Sequence, residues 1–249
     1  MSVQKHLAVL AVSVFILGGA TTASASIISG TGSEKVTKGA TAVEVRSGYE
    51  IDNDRASQDG TLRTRAHLDY GVTDNYALRI IASQTKLEGD SFDHDAVTIE
   101  NRFELTDYFN IPFGFGARLS YGIRDEGRAD RLGFRLIEVV PMEDWELRFN
   151  QIFQRDIGAA RSNDLTFESR AMVSKQLNSN LKLGLESHNS FGDITDMPDY
   201  SEQDHTIGPA LIGKNTFLGQ DFKYEVGYRA GISRGAPDHA FKLFLNKSF

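Results

Sequence analysis

The sequence predicts an all-β protein, a transmembrane antiparallel up-and-down β-barrel of about twelve strands, within a range of ten to fourteen. Three observations predict this fold class: an apolar segment near the N-terminus, twelve later runs in which apolar and polar residues alternate, and a C-terminal run that ends in phenylalanine. The three lie in separate parts of the chain and support the same fold.

The apolar segment near the N-terminus has the layout of a secretory signal peptide. Lys5 supplies a positive start, residues 7–20 form a short apolar run, and residues 23–25 are the small residues that a signal peptidase reads. A membrane-spanning helix needs about 20 apolar residues, so this run is too short for a permanent anchor. We therefore predict an exported protein with three parts: a signal peptide at 1–25, a short N-terminal extension at 26–40 and the barrel at 41–249.

Alternation of apolar and polar residues dominates the rest of the chain and is clearest in residues 61–72. Leu62 and Leu68 belong to an apolar set, while Arg63 and Arg65 belong to a charged set in between. Successive side chains of a strand point to opposite faces, so this run is a strand with one apolar and one charged face. The predicted strands are 41–51, 61–72, 76–87, 96–106, 109–124, 131–141, 145–155, 165–176, 180–192, 205–214, 221–233 and 238–249.

The connections between the runs are short after even-numbered runs and mostly longer and more polar after odd-numbered ones. Residues 142–144 are one of the short connections, and residues 193–204 are one of the long ones. This asymmetry, with an even strand number, is typical of transmembrane barrels. The weakest strand is 131–141, where Glu138 falls on the apolar face unless a bulge shifts the register.

A secreted β-sandwich or a lipocalin-like barrel is the alternative that alternation also permits. Charged residues recur at every second position over runs of membrane-crossing length, which favours the membrane barrel. Aromatic residues also concentrate near the predicted strand ends, where an interfacial girdle would lie. These are Tyr76, Phe109, Trp145, Phe217, Phe222 and Tyr224.

The end of the chain alternates through Phe241, Leu243 and Leu245 to a terminal Phe249. It resembles the C-terminal strand of bacterial outer-membrane proteins, although Lys247 replaces their usual apolar residue two places before the end. The resemblance implies a location in the outer membrane of a Gram-negative cell envelope. It also implies contact with outer-membrane lipid and lipopolysaccharide, and recognition of Phe249 by the barrel-assembly machinery.

If the apolar face meets lipid, the polar face lines the lumen. On the predicted registers fifteen basic and nine acidic side chains point inward, a surplus of six positive charges in a chain whose formal charge is −7. Basic rings in a pore favour anions, and arginine suits planar carboxylates. The candidate residues that line the lumen and bind solute are Arg63, Arg65, Arg102, Arg118, Arg135, Arg148, Arg170 and Arg229.

Strand number and lumen chemistry together resemble the small monomeric twelve-stranded porins for acidic sugars, the oligogalacturonate and sialic-acid channels. The resemblance covers the mature chain and rests on no diagnostic motif that transfers residue by residue. It implies a porin for ion transport, a monomer through which small anionic solutes diffuse passively.

A structural or plugged outer-membrane barrel is the main alternative function. The predicted loops hold eighteen acidic residues and five arginines, so their tips are acidic and could bind divalent cations or lipopolysaccharide. However, no calcium-loop spacing is present, so no metal site is predicted.

An outer-membrane lipid hydrolase is the less favoured enzyme alternative. His188 and Ser190 have the His-x-Ser spacing of such enzymes, and Glu186 shares their face. That face is the lumen, and the Asn-Gly context of those phospholipases is missing. We therefore predict no catalytic residue and no enzyme.

The composition also narrows the partners and cofactors. The chain has 249 residues and no cysteine, so it has no disulfide, thiolate zinc site or iron–sulfur cluster. An acidic chain without clustered lysine and arginine is a poor ligand for nucleic acid. Since the histidines form no metal-binding spacing, no cofactor is predicted.

Overall fold

The computed structural model describes residues 27–55, 58–125, 127–158, 160–162, 164–217 and 219–249. The predicted signal peptide at 1–25 lies outside the described residues. None of the helices in the described ranges is both long and apolar enough to cross a membrane.

Twelve antiparallel strands form one closed barrel, so the predicted fold class is confirmed. One short helix, α1 (Thr106–Phe109), lies between the fourth and fifth strands. The strands are β1 (Thr41–Ile51), β2 (Thr61–Gly71), β3 (Tyr76–Lys86), β4 (Asp93–Glu104), β5 (Gly114–Arg124), β6 (Asp130–Met142), β7 (Trp145–Ile157), β8 (Leu165–Asn178), β9 (Leu181–Asp193), β10 (Asp204–Phe217), β11 (Gln220–Gly231) and β12 (His239–Ser248).

The first and last strands close the barrel. Val45 of β1 lies opposite Leu245 of β12 on one side and opposite Ala66 of β2 on the other. The backbone N–H of Phe249 donates to the carbonyl of Thr41 at 2.8 Å, which extends this seam to the last residue. Closure leaves no free sheet edge, so backbone groups pair within the wall.

The outer wall is apolar and the inner wall is polar. Val45, Leu68 and Leu185 are exposed on the outside, whereas Glu100 and Arg118 are buried inside. A soluble barrel would turn its apolar set inward instead. The apolar set therefore faces outward and the polar set faces inward, as in a barrel that crosses a membrane.

The two ends of the barrel differ. The start of β1, the end of β12 and the short connections, such as residues 143–144 and 179–180, lie at one end, which we call the turn end. The longer connections lie at the other end, the loop end, and include residues 52–60 and 194–203. Short turns at one end and longer loops at the other are the asymmetry that transmembrane β-barrels show.

Two strands begin three or more residues away from the predicted start, while the other ten begin within one residue of it. β5 begins at Gly114 rather than at residue 109, because residues 106–109 form α1 and Asn110 follows in the left-handed conformation with φ of 50°. Pro112 has no N–H for a ladder bond, which also disfavours an earlier start. β4 begins at Asp93 rather than at residue 96, with a register shift between Ser83 and Gln84 in its partner.

Strand β6 has an uninterrupted register on both sides. No bulge turns Glu138 inward, and its neighbours Ile137 and Val139 are buried on the luminal side. Glu138 therefore lies on the outer, apolar face, and β6 contributes apolar side chains to the lumen.

Candidate functional site: the barrel lumen

Residues 27–38, which we call the luminal segment, lie inside the barrel. A Cβ atom on Gly48, in the loop-end half of β1, would lie 2.7 Å from Ile27 Cγ2, so only glycine leaves room for this side chain. At the turn end the carbonyl of Thr37 lies directly against the Cα of Gly71. The segment therefore runs along the lumen from the loop-end half to the turn end, where it enters β1.

Arginine side chains of the wall bind the main chain of the luminal segment. Arg118 Nη2 donates to the carbonyl of Ser33 at 3.0 Å, and Arg229 Nη2 donates to the carbonyl of Ile27 at 3.3 Å. Each remaining contact of this kind joins one wall arginine to one carbonyl. They are Arg46 to Ile28 and Arg170 to Gly30, both at 3.4 Å, Arg148 to Thr31 at 3.4 Å, and Arg102 to Lys35 at 3.2 Å.

Asn150 and Glu104 complete the contacts of the luminal segment. The backbone N–H of Gly32 donates to Asn150 Oδ1 at 2.7 Å, and Asn150 Nδ2 donates to the Gly32 carbonyl at 3.3 Å. Glu104 accepts from Lys35 Nζ and from the N–H of Val36, both at 2.9 Å. The hydrogen bond to Glu104 raises the pKa of Lys35 above its usual value, so this turn-end contact is a charged pair.

An ion-paired network ties four neighbouring strands together on one side of the lumen. We call Asp69, Arg79, Glu100, Arg102 and Arg118 the network wall. Asp69 Oδ1 accepts from Arg79 at 2.8 Å and from Arg102 at 2.6 Å. Glu100 Oε1 accepts from Arg79 and from Arg118, each at 3.4 Å. The carboxylates thus join β2 to β5 across strand boundaries.

Four other predicted luminal arginines also have carboxylate partners. These pairs are Arg63 with Glu50 at 3.7 Å, Arg148 with Glu146 at 2.6 Å, Arg170 with Glu168 at 2.6 Å, and Arg229 with Glu186 at 3.9 Å. Two of them, on β7 and β8, join residues two apart in the same strand. The Arg170–Glu168 pair stays within β8, whereas Glu146 also binds Lys182 Nζ of β9 at 3.2 Å and so joins two strands.

Arg65 and Arg135 differ from the other candidates. Within the described part of the chain neither has a carboxylate at salt-bridge distance, and Arg65 Nη1 donates a 3.5 Å hydrogen bond to Ser29 Oγ. The positive charges of Arg46 and Arg170 act on both of them. We call Arg46, Arg65, Arg135 and Arg170 the central arginine cluster, since like charges gather there around Glu168.

Apolar side chains face the lumen on β6, β7 and β8. Ile137, Val139, Ile152 and Met172 are buried on the inner side, and we call them the apolar wall. Ile152 lies opposite Arg135 in the β6–β7 register. Each of these residues has the same parity as the inward arginine of its strand, so alternation places it in the lumen, although only charged residues were predicted to line it.

A cavity of about 490 Å³ opens at the turn end between β10, β11 and β12. Lys214 and Lys223 line it and lie opposite each other in the register. No carboxylate pairs with either lysine within the described residues. Asp221 also lines the cavity and accepts from Thr216 Oγ1 at 2.6 Å, so this part of the rim keeps a surplus of one positive charge.

The His-x-Ser pair lies inside the barrel. His188 and Ser190 are fully buried, and neither ring nitrogen of His188 nor the hydroxyl of Ser190 has a hydrogen-bond partner among the described residues. Glu186 lies 3.4 Å from His188 Nε2 and is bound by Lys242 at 2.5 Å. A lipid hydrolase needs these groups on the lipid side, so the geometry does not support that alternative.

The acidic loops are engaged in local contacts. Asp52 pairs with Arg55, and Asp238 accepts from the backbone and side chain of Asn53. These hydrogen bonds lower the pKa of Asp238 below its usual range. In the described ranges no group of three or more histidine or acidic residues has an arrangement that could hold a metal ion.

Solved structures share this fold. An outer-membrane channel of Pseudomonas putida F1 matches with a TM-score of 0.60 at 12% identity, over 89% of this chain and 100% of the other. The KdgM porin, solved in complex with disordered oligogalacturonate, matches with a TM-score of 0.57 at 10% identity, over 84% and 99%. The NanC porin matches with a TM-score of 0.56 at 11% identity, over 82% and 98%. No family model and no curated protein matches the chain.

The closed barrel and its apolar outer wall define a twelve-stranded outer-membrane β-barrel protein. The predicted class and location are therefore confirmed. The structures similar to it are two porins and an outer-membrane channel, and at these sequence identities the likeness establishes the fold.

Proposed function

We propose that this barrel is an outer-membrane channel through which small anionic solutes diffuse. The observation that carries the proposal is the central arginine cluster, in which Arg65 and Arg135 have no carboxylate partner among the described residues. An anion that reaches them forms charge-assisted hydrogen bonds without breaking an existing ion pair. The similar fold of two porins supports a channel, and the resemblance to acidic-sugar porins supports an anionic solute.

The basic rim of the turn-end cavity also favours this function. Lys214 and Lys223 attract anions at the opening, while the central cluster holds them further along the lumen. The acidic loops at the other end act against anion entry, but salt at physiological strength screens their charge beyond about 8 Å. The lumen therefore determines selectivity more strongly than the loops do.

The test is the reversal potential of the refolded barrel in planar bilayers under a potassium chloride gradient. We expect the unmodified lumen to prefer chloride, and the double variant Arg65→Gln, Arg135→Gln to lose that preference several-fold. The matched control is Arg155→Gln, Arg161→Gln, which removes two exposed positive charges outside the lumen and should leave selectivity unchanged. Cation preference of the unmodified lumen, or equal effects of both double variants, would contradict the proposal.

A closed structural barrel is the second candidate function, and the occupied lumen favours it. The two functions differ in what happens when residues 27–36 are removed. A conducting shortened chain supports the channel, and a shortened chain that folds but conducts no ions supports the structural barrel. The selectivity test is therefore run on both the full mature chain and the shortened chain.

A further inference from the structure

We propose that the luminal segment is a tethered gate that competes with the solute for the arginines of the lumen. This inference rests on the proposed function, because it assigns a regulatory role to the same site. The segment occupies the central cluster: Ser29 Oγ is bound by Arg65, and the carbonyl of Gly30 is bound by Arg170. A solute at the cluster and this part of the chain cannot be bound at the same time.

The wall binds the segment through contacts that an anion can replace. The arginines bind neutral carbonyl oxygens by single hydrogen bonds of 3.0–3.4 Å. A carboxylate or phosphate oxygen accepts shorter and stronger bonds from the same guanidinium groups. The guanidinium groups are already directed into the lumen by their own ion pairs. An anionic solute therefore binds them more strongly than the carbonyls do.

The segment is not part of the barrel wall. The twelve strands pair only with one another, and no strand pairs with residues 27–38. Residues 29–33 are Ser-Gly-Thr-Gly-Ser, a composition that is flexible when it is not held by neighbours. Its withdrawal therefore leaves every strand-to-strand hydrogen bond in place.

The two ends of the segment have different roles. At the turn end, Gly39 has a φ of +75° and its N–H donates to the carbonyl of Gly71 at 2.8 Å, which fixes a turn into β1. At the other end, Ile27 and Ile28 form a small buried cluster with Ala240. The turn is the tether, the isoleucines hold the closed state, and the segment can leave only toward the turn end.

The experiment compares the full mature chain with a chain that lacks residues 27–36, by single-channel conductance in potassium chloride. We expect the deletion to increase conductance several-fold. Citrate, a small polyanion, should raise the open probability of the full chain and only block current in the shortened chain. Equal conductance of the two chains, or no opening by citrate, would overturn the gate.

A reversible lock tests the same inference without shortening the chain. The protein has no cysteine of its own, so a new pair reacts alone. Ile27→Cys with Gly48→Cys removes the Ile27 atoms that a Cβ at position 48 would meet, and brings the two side chains close enough for a disulfide once Ile28 Cγ2, 2.9 Å from that Cβ, moves slightly. We expect low conductance when oxidised and a normal response to citrate when reduced. The controls are the single variant Ile27→Cys and the reduced double variant, and citrate opening of the oxidised protein would contradict the gate.

The outcomes separate the gate from the proposed function. A shortened chain with increased conductance but cation preference supports the gate and refutes anion transport. A shortened chain with unchanged conductance but anion preference refutes the gate and supports anion transport. Glu104→Gln, which weakens the Lys35 contact, should raise open probability slightly, whereas Glu88→Gln in an exposed loop should not.

Discussion

The network wall on β2–β5 and the apolar wall on β6–β8 fill the same lumen in different ways. In the network wall Glu100 and Asp69 each bind two arginines from different strands. On β7 and β8 each glutamate binds one arginine, which lies in its own strand, although Glu146 also binds Lys182 of β9, and the buried side chains next to these pairs are those of the apolar wall. The first wall is thus cross-linked by charge, while the second leaves Arg135 without a carboxylate among the described residues. Stability and solute binding are therefore assigned to different sides of the lumen.

The largest expected effect comes from removing a carboxylate shared by two strands. Glu100→Ala leaves Arg79 and Arg118 short of a partner in a buried site, and we expect a loss of about 3–5 kcal/mol in the free energy of unfolding. Glu168→Ala removes a carboxylate that pairs with one arginine, Arg170, among the described residues, and should cost about half as much. Denaturant unfolding in detergent micelles, read by the heat-dependent gel shift, measures both. Equal losses would show that cross-strand pairing has no special role.

The next prediction compares the loss of stability when each of two arginines of the lumen is replaced. Arg118→Gln removes one of the two partners of Glu100 and should cost about 2 kcal/mol. Arg135 has positive neighbours and no carboxylate at salt-bridge distance among the described residues. We therefore expect Arg135→Gln to change the free energy of unfolding by no more than about 0.5 kcal/mol, or to increase it. The same unfolding experiment applies. A greater loss for Arg135→Gln than for Arg118→Gln would reverse the assignment of the two walls.

The smallest effect tests the packing of the apolar wall. Ile152→Val removes one buried methylene and should cost about 1 kcal/mol. Ile99→Val makes the same change on the lipid-facing side, where acyl chains fill the space, and should cost a few tenths of a kcal/mol. If both variants lose the same stability, the luminal side chains of β6–β8 are loosely packed and do not form a wall.

Strands β1, β2 and β7 show what period-two alternation can predict. Their first residues match the prediction because each begins where a polar connection ends, and the side of each side chain follows from parity alone. The same rule is wrong for residues 109–113, where alternating phenylalanines and isoleucine follow a helical turn. Local hydrogen bonding of α1 and Asn110 determines that segment, and the pattern of polarity carries no signal for it.

The sequence by itself determined the strand number, the apolar outer wall, the charged lumen and the closing C-terminal run. These follow from local spacing, which acts between neighbouring residues. Only the tertiary structure decided which arginines form an ion pair with a carboxylate and which segment of the chain occupies the lumen. Residues 27–38 have no alternation, and their burial exists only because β12, about 200 residues later, closes the barrel around them. Contacts between residues so distant in the chain are fixed by closure, so no local pattern could predict that Arg170 binds Gly30 or that Arg135 has no carboxylate partner among the described residues.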